Sequence, residues 1–103
     1  MEFEWDENKN QSNWLKHRVD FADAIHIFLD DDRVEREDTR KDYGESRFQT
    51  IGTTEHGILF VIYTERNGDT IRLISARKAN RKERGFYASG VFKPFSVEVK
   101  NGR

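Results

Sequence analysis

The chain has 103 residues, of which 35% are hydrophobic and 36% are charged, and it contains no cysteine. This length predicts one domain, and the composition excludes a disulfide scaffold, a thiolate metal site and the ~18-residue apolar run of a membrane-spanning helix. Because the first residues are acidic and lack the basic start of a signal peptide, we expect a cytoplasmic protein.

The net charge of −1 conceals an uneven distribution along the chain. Residues 1–45 contain twice as many Asp and Glu as Lys and Arg, whereas in residues 46–103 Lys and Arg are in excess. The second half therefore predicts a basic surface. That surface either pairs with the acidic first half or binds a polyanion, and composition leaves both alternatives open.

The first half of the chain predicts a short strand and two helices. The strand covers residues 3–5, and a polar helix begins after Asp6 and ends near Arg18. A second helix begins after Asp20, whose carboxylate is placed to accept a hydrogen bond from the Asp23 amide.

The middle of the chain predicts an antiparallel sheet of about four strands. An edge strand near Val34 is followed by three strands, over residues 47–53, 58–65 and 69–76. Asn67 and Gly68 separate the last two strands, and an Asn-Gly pair between apolar runs indicates a hairpin because both residues accept positive φ. Together with the helices, this pattern predicts an α+β fold.

A third helix follows the sheet. Asn80 and Glu83 have the spacing of a capping box at its start, and Phe86 and Tyr87 supply the apolar side that packs on the sheet. We take residues 1–89 as the domain. We expect residues 90–103 to form an extension that is strand-like or disordered. Within it, Phe95, Val97 and Val99 alternate with polar residues, which is a strand-like pattern.

Positive charge is dense where the last strand meets the third helix. The basic residues of this region are Arg72, Arg77, Lys78, Arg81, Lys82 and Arg84. Guanidinium groups bind phosphate through paired donors, so Arg47, Arg72 and Arg77 on one sheet face are candidates to bind phosphate groups. Arg66 begins the strand that Arg77 ends, so the two share a site only if that strand bends strongly. As a strand-exit residue, Arg77 is expected to be exposed.

His17 is the candidate general base or acid, because histidine is the side chain that changes charge near neutral pH. The alternative is a cap at the C-terminus of its helix. Tyr63, Tyr87 and Trp5 either stack on RNA bases or pack in the core. The sequence has no cluster of His, Cys and Asp with ligand spacing, so no metal site is predicted.

Several blocks of residues, in a fixed order over about residues 2–88, carry a family resemblance. They are Trp5-Asp6, Lys9, Lys16-His17-x-Val19-x-Phe21, Gly44-Glu45-x-Arg47, Tyr63-Thr64-Glu65-Arg66, Arg72, Ile74-Ser75-Ala76-Arg77-Lys78-Ala79 and Glu83-Arg84. With these blocks the chain resembles the BrnT family, the ribonuclease toxins of bacterial type II toxin–antitoxin modules.

The resemblance implies a RelE-like fold and a metal-independent endoribonuclease without a cofactor. In such enzymes the ribose 2′-hydroxyl attacks the adjacent phosphate, so protein groups must move protons and stabilise charge. The resemblance implies Arg66 and Arg77 as charge stabilisers, His17 or Glu65 as the base, and Tyr87 as an acid or stacking group. The residues implied to position the RNA backbone are Lys9, Arg47, Arg72 and Arg84.

The resemblance also implies the partners of the protein. A BrnA-like antitoxin with a ribbon-helix-helix part would neutralise the toxin, and operator DNA would be bound only through the complex, with no membrane involved. Two alternatives stay open. One is a non-catalytic nucleic-acid-binding module, and the other is a small interaction protein whose basic face binds an acidic partner.

Overall fold

The computed structural model describes residues 1–95, and it has an α+β fold. The elements in chain order are β1 (Glu2–Glu4), α1 (Glu7–His17), α2 (Phe21–Ala24), a 3-10 helix (Ile25–Leu29), β2 (Val34–Glu37), β3 (Arg47–Thr54), β4 (Gly57–Arg66), β5 (Thr70–Lys78) and α3 (Arg81–Ser89). None of the helices in the described range is long and apolar enough to cross a membrane.

The strands form a five-stranded sheet in the order β1-β5-β4-β3-β2. The strands from β2 to β5 are antiparallel, and Asn67 and Gly68 turn the last hairpin with φ angles of 56° and 79°. However, β1 runs parallel to β5, with Phe3 opposite Ile71. The predicted antiparallel sheet of about four strands is therefore corrected to a mixed sheet of five. Pairing between residues so far apart in the chain leaves no trace in local periodicity.

The second predicted helix is shorter than expected. α2 has 4 residues, and the chain then tightens into the 3-10 helix of 5 residues. The Asp20 carboxylate accepts from the amide of Ala22 at 3.0 Å, whereas the Asp23 amide donates to the Asp20 carbonyl. The cap is therefore at the predicted residue but uses a different donor.

The sheet packs on both of its faces. The larger core lies on the face covered by the N-terminal helices and contains Phe21, Ile27 and Leu73, each of which is almost completely buried. On the opposite face a smaller core contains Ile51 and Phe60, against which α3 packs. α3 packs against this smaller core, and polar side chains occupy the neighbouring positions of the same face.

α1 closes an edge of β5 that β1 is too short to cover. β1 pairs only with the first residues of β5. Farther along, the Asn13 side chain donates to the Ala76 carbonyl at 2.8 Å and accepts from the Ala76 amide at 3.1 Å. Asn13 also donates to the Val19 carbonyl at 2.9 Å. One buried amide therefore fixes α1, and with it His17, beside β5.

The chain continues past α3 against the sheet. α3 begins with the predicted capping box of Asn80 and Glu83, and it ends at Gly90, which has a φ angle of 74°. Phe92 then enters the smaller core with only 7% of its surface exposed. Residues 91–95 form no regular strand. Val97 and Val99 lie outside the described residues, so the predicted strand alternation is not tested.

Candidate active site

A polar cavity of about 270 Å³ opens on the sheet face that carries α3. It is lined by His17, Arg36, Arg40, Gln49, Phe60, Ile62, Ser75, Arg77 and Glu83. The three arginines give the cavity a positive lining, and positive charge in a partly enclosed site favours an anionic ligand.

The register of the sheet explains why these residues meet. Arg36 of β2 lies opposite Gln49, which in turn lies opposite Ile62. Ile62 lies opposite Ser75, and the adjacent row places Phe60 opposite Arg77. Directly opposed residues share one face of a sheet. The pairing of β2 to β5 thus aligns residues that are distant in the chain.

Arg77 is held by a bidentate ion pair. Its Nη1 and Nη2 atoms donate to Glu83 Oε1 and Oε2 at 2.7 and 2.8 Å, and its guanidinium lies 4.3 Å from the centre of the Phe60 ring. Glu83 also accepts from the Asn80 amide at 2.9 Å. Although burial alone would raise the pKa of Glu83, the hydrogen bonds from Arg77 hold it below its ordinary value. Glu83 therefore stays ionised and orients Arg77.

Arg40 is neutralised in a similar way. Its Nε and Nη2 atoms donate to the two carboxylate oxygens of Asp38, both at 2.9 Å. Only 2% of the Asp38 side chain is exposed, and the Tyr43 hydroxyl donates to the same carboxylate at 3.0 Å. The hydrogen bond from Arg40 holds the pKa of Asp38 well below its usual range. This pair stays charged at neutral pH.

Arg36 differs from the other two arginines. Its Nε atom donates to Gln49 Oε1 at 2.9 Å and its Nη1 atom to the Lys93 carbonyl at 3.2 Å. Among the described residues it makes no ion pair with a carboxylate. Burial, followed by the charge of Arg40, lowers the pKa of Arg36. The charges of Asp38 and Glu83 act in the opposite direction, but neither carboxylate forms an ion pair with Arg36.

A second cavity adjoins the first along α1. It has a volume of about 260 Å³ and is lined by Lys9, Ser12, Asn13, Lys16, His17, Ile74 and Ser75. His17 and Ser75 line both cavities. Together the two cavities form a groove with lysines at one end, arginines at the other and His17 between them.

Two predicted catalytic residues lie far from this groove. Arg66 is opposite Thr70, whereas Arg77 is near the other end of β5. At ~3.3 Å per residue, the two arginines are about 20 Å apart or more. Arg66 contacts Glu45 at 3.7 Å instead. Glu65 is exposed and lies opposite Ile71, on the other face of the sheet.

Tyr87 is also outside the cavity. Its hydroxyl donates to the Asp30 carboxylate at 2.7 Å, and that carboxylate accepts from the Thr53 amide at 2.8 Å. The hydrogen bond to Asp30 and burial raise the pKa of Tyr87 to about 12. Tyr87 therefore ties α3 to the loop before β2. The other two candidate stacking residues pack internally, since Tyr63 is 3% exposed and Trp5 packs against Phe21.

The predicted RNA-positioning arginines fall into two groups. Arg47 and Arg72 both lie opposite Thr64, on the cavity face but beyond the cavity itself. Each makes an acidic contact, Arg47 with Glu45 at 3.3 Å and Arg72 with Glu4 at 3.2 Å. These pairs agree with the alternative in which cations meet the acidic first half. Arg84 is exposed and donates to the Ala79 carbonyl at 2.9 Å.

Sequence reasoning missed Arg36, Arg40 and the orienting role of Glu83. A signal for Arg36 existed, because it is two positions from buried Val34 and therefore on the same face of a strand. Arg40 lies in a loop, and nothing local indicates which way that loop returns. Glu83 was recognised only as a helix cap.

Comparison with known proteins assigns the chain to a family. The family model described as "Ribonuclease toxin, BrnT, of type II toxin-antitoxin system" matches residues 5–83. The chain belongs to the BrnT family. His17, Arg36, Arg40 and Arg77 all lie within the matched range, so the cavity is part of the BrnT region of the chain.

Among solved structures, the chain is similar to the crystal structure of the Brucella abortus ribonuclease toxin BrnT. The sequence identity is 31% and the TM-score is 0.60, and the similarity covers 79% of this chain and 99% of that one. No curated protein matches the chain. The resemblance inferred from the spaced sequence blocks is confirmed, whereas residues after Glu83 extend beyond the family match.

Proposed function

We propose that this BrnT-family protein is a metal-independent endoribonuclease whose active site is the cavity formed by His17, Arg36, Arg40 and Arg77. The observation that carries the proposal is the convergence of three guanidinium groups and one imidazole in a single cavity. The family description, a ribonuclease toxin, supports RNA as the substrate.

The proposed reaction is a transesterification within RNA. His17 accepts the proton of the ribose 2′-hydroxyl, whose oxygen attacks the adjacent phosphorus. The bond from phosphorus to the 5′-oxygen then breaks. Glu83 is held ionised by Arg77 and has no proton to donate, so we propose that water protonates the 5′-oxygen. The products are a 2′,3′-cyclic phosphate and a 5′-hydroxyl. The arginines stabilise the negative charge that develops on the phosphate oxygens.

We propose that the reaction needs no metal, because arginines supply the charge stabilisation that a divalent ion supplies in a metalloenzyme. We expect RNA cleavage by the purified protein to continue in EDTA. Loss of cleavage in chelator with recovery on addition of a divalent ion would contradict this reading.

The RNA strand is proposed to pass beyond the cavity in two directions. Lys9 lies in the groove along α1, and Arg47 with Arg72 lies farther along the same sheet face. These residues are placed to contact flanking phosphates. Glu65 has no role in the proposed chemistry, because it lies on the opposite face of the sheet. Tyr87 has none either, because its hydroxyl is hydrogen-bonded to Asp30 outside the cavity.

The family assignment also supports a partner. We infer that a BrnA-like antitoxin with a ribbon-helix-helix part neutralises this protein in the cytoplasm, and that operator DNA is bound through the complex. Expression of the chain alone is expected to arrest growth, and co-expression with such an antitoxin to relieve the arrest. Continued growth arrest when the antitoxin is co-expressed and co-purifies with this protein would contradict neutralisation of the toxin.

The decisive experiment compares His17→Ala with a matched control. His56→Ala changes a histidine in the β3–β4 turn that is 49% exposed and outside both cavities. We expect His17→Ala to abolish cleavage and the 2′,3′-cyclic ends, and His56→Ala to retain both. RNA binding by the wild type without any cleavage would instead favour a non-catalytic nucleic-acid-binding module.

A further inference from the structure

Residues 91–95 return from α3 to the rim of the cavity. Phe92 anchors this segment, because it is 7% exposed and its ring stacks on Phe86 with centroids 5.2 Å apart. Phe95 is only partly buried. The segment lies beyond Glu83, where the family match ends.

The segment surrounds one guanidinium group. The Cζ atom of Arg36 lies 4.0 Å from the centre of the Phe92 ring and 3.7 Å from the centre of the Phe95 ring. The Lys93 carbonyl accepts from Arg36 Nη1 at 3.2 Å. We call Phe92, Phe95 and the Lys93 carbonyl the aromatic clamp. The Phe95 ring also lies 4.8 Å from the Cζ atom of Arg40.

This clamp holds a cation without neutralising it. An aromatic face attracts a guanidinium through its quadrupole and leaves the positive charge in place. A carboxylate, by contrast, offsets part of the charge and occupies two of the five donors of a guanidinium. Arg77 and Arg40 are bound by Glu83 and Asp38, so Arg36 is the cavity arginine that makes no ion pair of its own among the described residues.

We propose that Phe95 is a positioning residue of the ribonuclease site. Together with Phe92 it fixes the plane of Arg36, so that the guanidinium edge turned to the cavity donates to an oxygen of the RNA phosphate. The proposal rests on the proposed function and extends its active site to a segment outside the family match. Phe92 is unsuitable as a probe because it also belongs to the smaller core.

The test is a double-mutant cycle between Phe95 and Arg36, measured as kcat/KM for RNA cleavage. Phe95→Leu removes the π face and is expected to lower kcat/KM about 3- to 30-fold, the range of a partly desolvated cation–π contact. Phe95→Tyr keeps the ring and is expected to restore most of that loss. In an Arg36→Gln background, Phe95→Leu is expected to have no further effect.

Three results would overturn the proposal. The first is unchanged cleavage by Phe95→Leu. The second is faster cleavage by that variant, which is the result expected if the segment only blocks the cavity. The third is an equal loss of kcat/KM for Phe95→Leu with and without Arg36. Thermal melts of each variant identify losses that come from unfolding. A purely structural role would lower the melting temperature without the coupling to Arg36.

A second measurement separates this proposal from the proposed function. The same four variants of the cycle are titrated with a 2′-deoxy oligonucleotide, which lacks the attacking hydroxyl. Coupled losses of affinity for this oligonucleotide, in a wild type that does not cleave RNA, would keep the positioning role and reject the ribonuclease. Additive losses, or no binding by the wild type, would reject the positioning role.

Discussion

At the scale of single residues, the cavity arginines differ in how they are held. Arg77 was expected to be exposed at the end of its strand, but 33% of its side chain is exposed and it is paired with Glu83, which is 12% exposed. Its removal therefore leaves a largely buried carboxylate without its ion pair, with the Asn80 amide as its remaining hydrogen-bond donor. The position of Arg77 thus affects both stability and the proposed chemistry.

We predict that Arg77→Ala slows RNA cleavage by ~100-fold or more, the usual effect of losing a transition-state donor. The same change is expected to destabilise the fold by about 1–3 kcal/mol, because Glu83 loses its ion pair and the donor to its Oε2 atom. Arg77→Lys is expected to recover little cleavage, since an ammonium cannot replace the planar fork of donors. Cleavage kinetics and denaturant titrations measure the two effects separately.

Two further variants make this prediction specific. Adding Glu83→Gln to Arg77→Ala removes the negative charge that has lost its ion pair. The free energy of unfolding is therefore expected to recover, whereas RNA cleavage is not. Arg66→Ala truncates an arginine about 20 Å away or more along β5, and its loss of cleavage is expected to be much smaller. A stable Arg77→Ala variant that cleaves RNA normally would remove Arg77 from the site.

At the scale of secondary-structure elements, Asn13 joins α1 to the sheet. We predict that Asn13→Ala destabilises the protein by about 2–4 kcal/mol, because the Ala76 amide and carbonyl and the Val19 carbonyl lose their partner. Cleavage is expected to fall as well, since α1 positions His17. Gln11→Ala, an exposed residue of α1 that lines neither cavity of the groove, is the control. Unchanged stability of Asn13→Ala would show that α1 is held by other contacts.

The attachment of α3 predicts a dependence on alkaline pH. Tyr87→Phe removes the hydrogen bond to Asp30 and is expected to cost about 1 kcal/mol at neutral pH. Because Asp30 raises the pKa of Tyr87 to about 12 in the folded protein, against about 10 in an unfolded chain, this contribution is complete below the lower value. It declines as pH rises towards the higher one.

Denaturant titrations of wild type and Tyr87→Phe across the alkaline range measure this difference. The gap in the free energy of unfolding is expected to stay constant up to pH about 10 and then to narrow. A gap that widens with pH would contradict the assigned hydrogen bond. Cleavage at neutral pH is expected to persist in Tyr87→Phe, because Tyr87 does not line the cavity.

At the scale of the whole molecule, the basic residues are spread over one sheet face and the groove beside α1. We predict that the affinity for single-stranded RNA falls with salt, and that Arg47→Ala and Arg72→Ala each reduce the slope by about 0.7. Lys82→Ala, an exposed residue that lines neither cavity, is the control. Unchanged slopes would show that both arginines serve only their ion pairs with Glu45 and Glu4.

Much of the local structure and the family were predictable from the sequence. The caps at Asp6 and Asn80 and the Asn67-Gly68 turn depend on residues within three positions of one another. Such signals survive in the order of residues, because the interacting groups are chain neighbours. The BrnT family was also predictable from the sequence, because the resemblance depends on residue types at fixed intervals along the chain.

Only the tertiary structure decided which of the cations lie together. Strand register brings Arg36 and Arg77 onto one sheet face and leaves Arg66, the last residue of β4, beside the opposite end of β5. The parallel pairing of β1 has the same long-range origin. The return of residues 91–95 to Arg36 likewise joins segments more than fifty positions apart. These contacts depend on packing between elements, whose geometry is absent from the local pattern of any single segment.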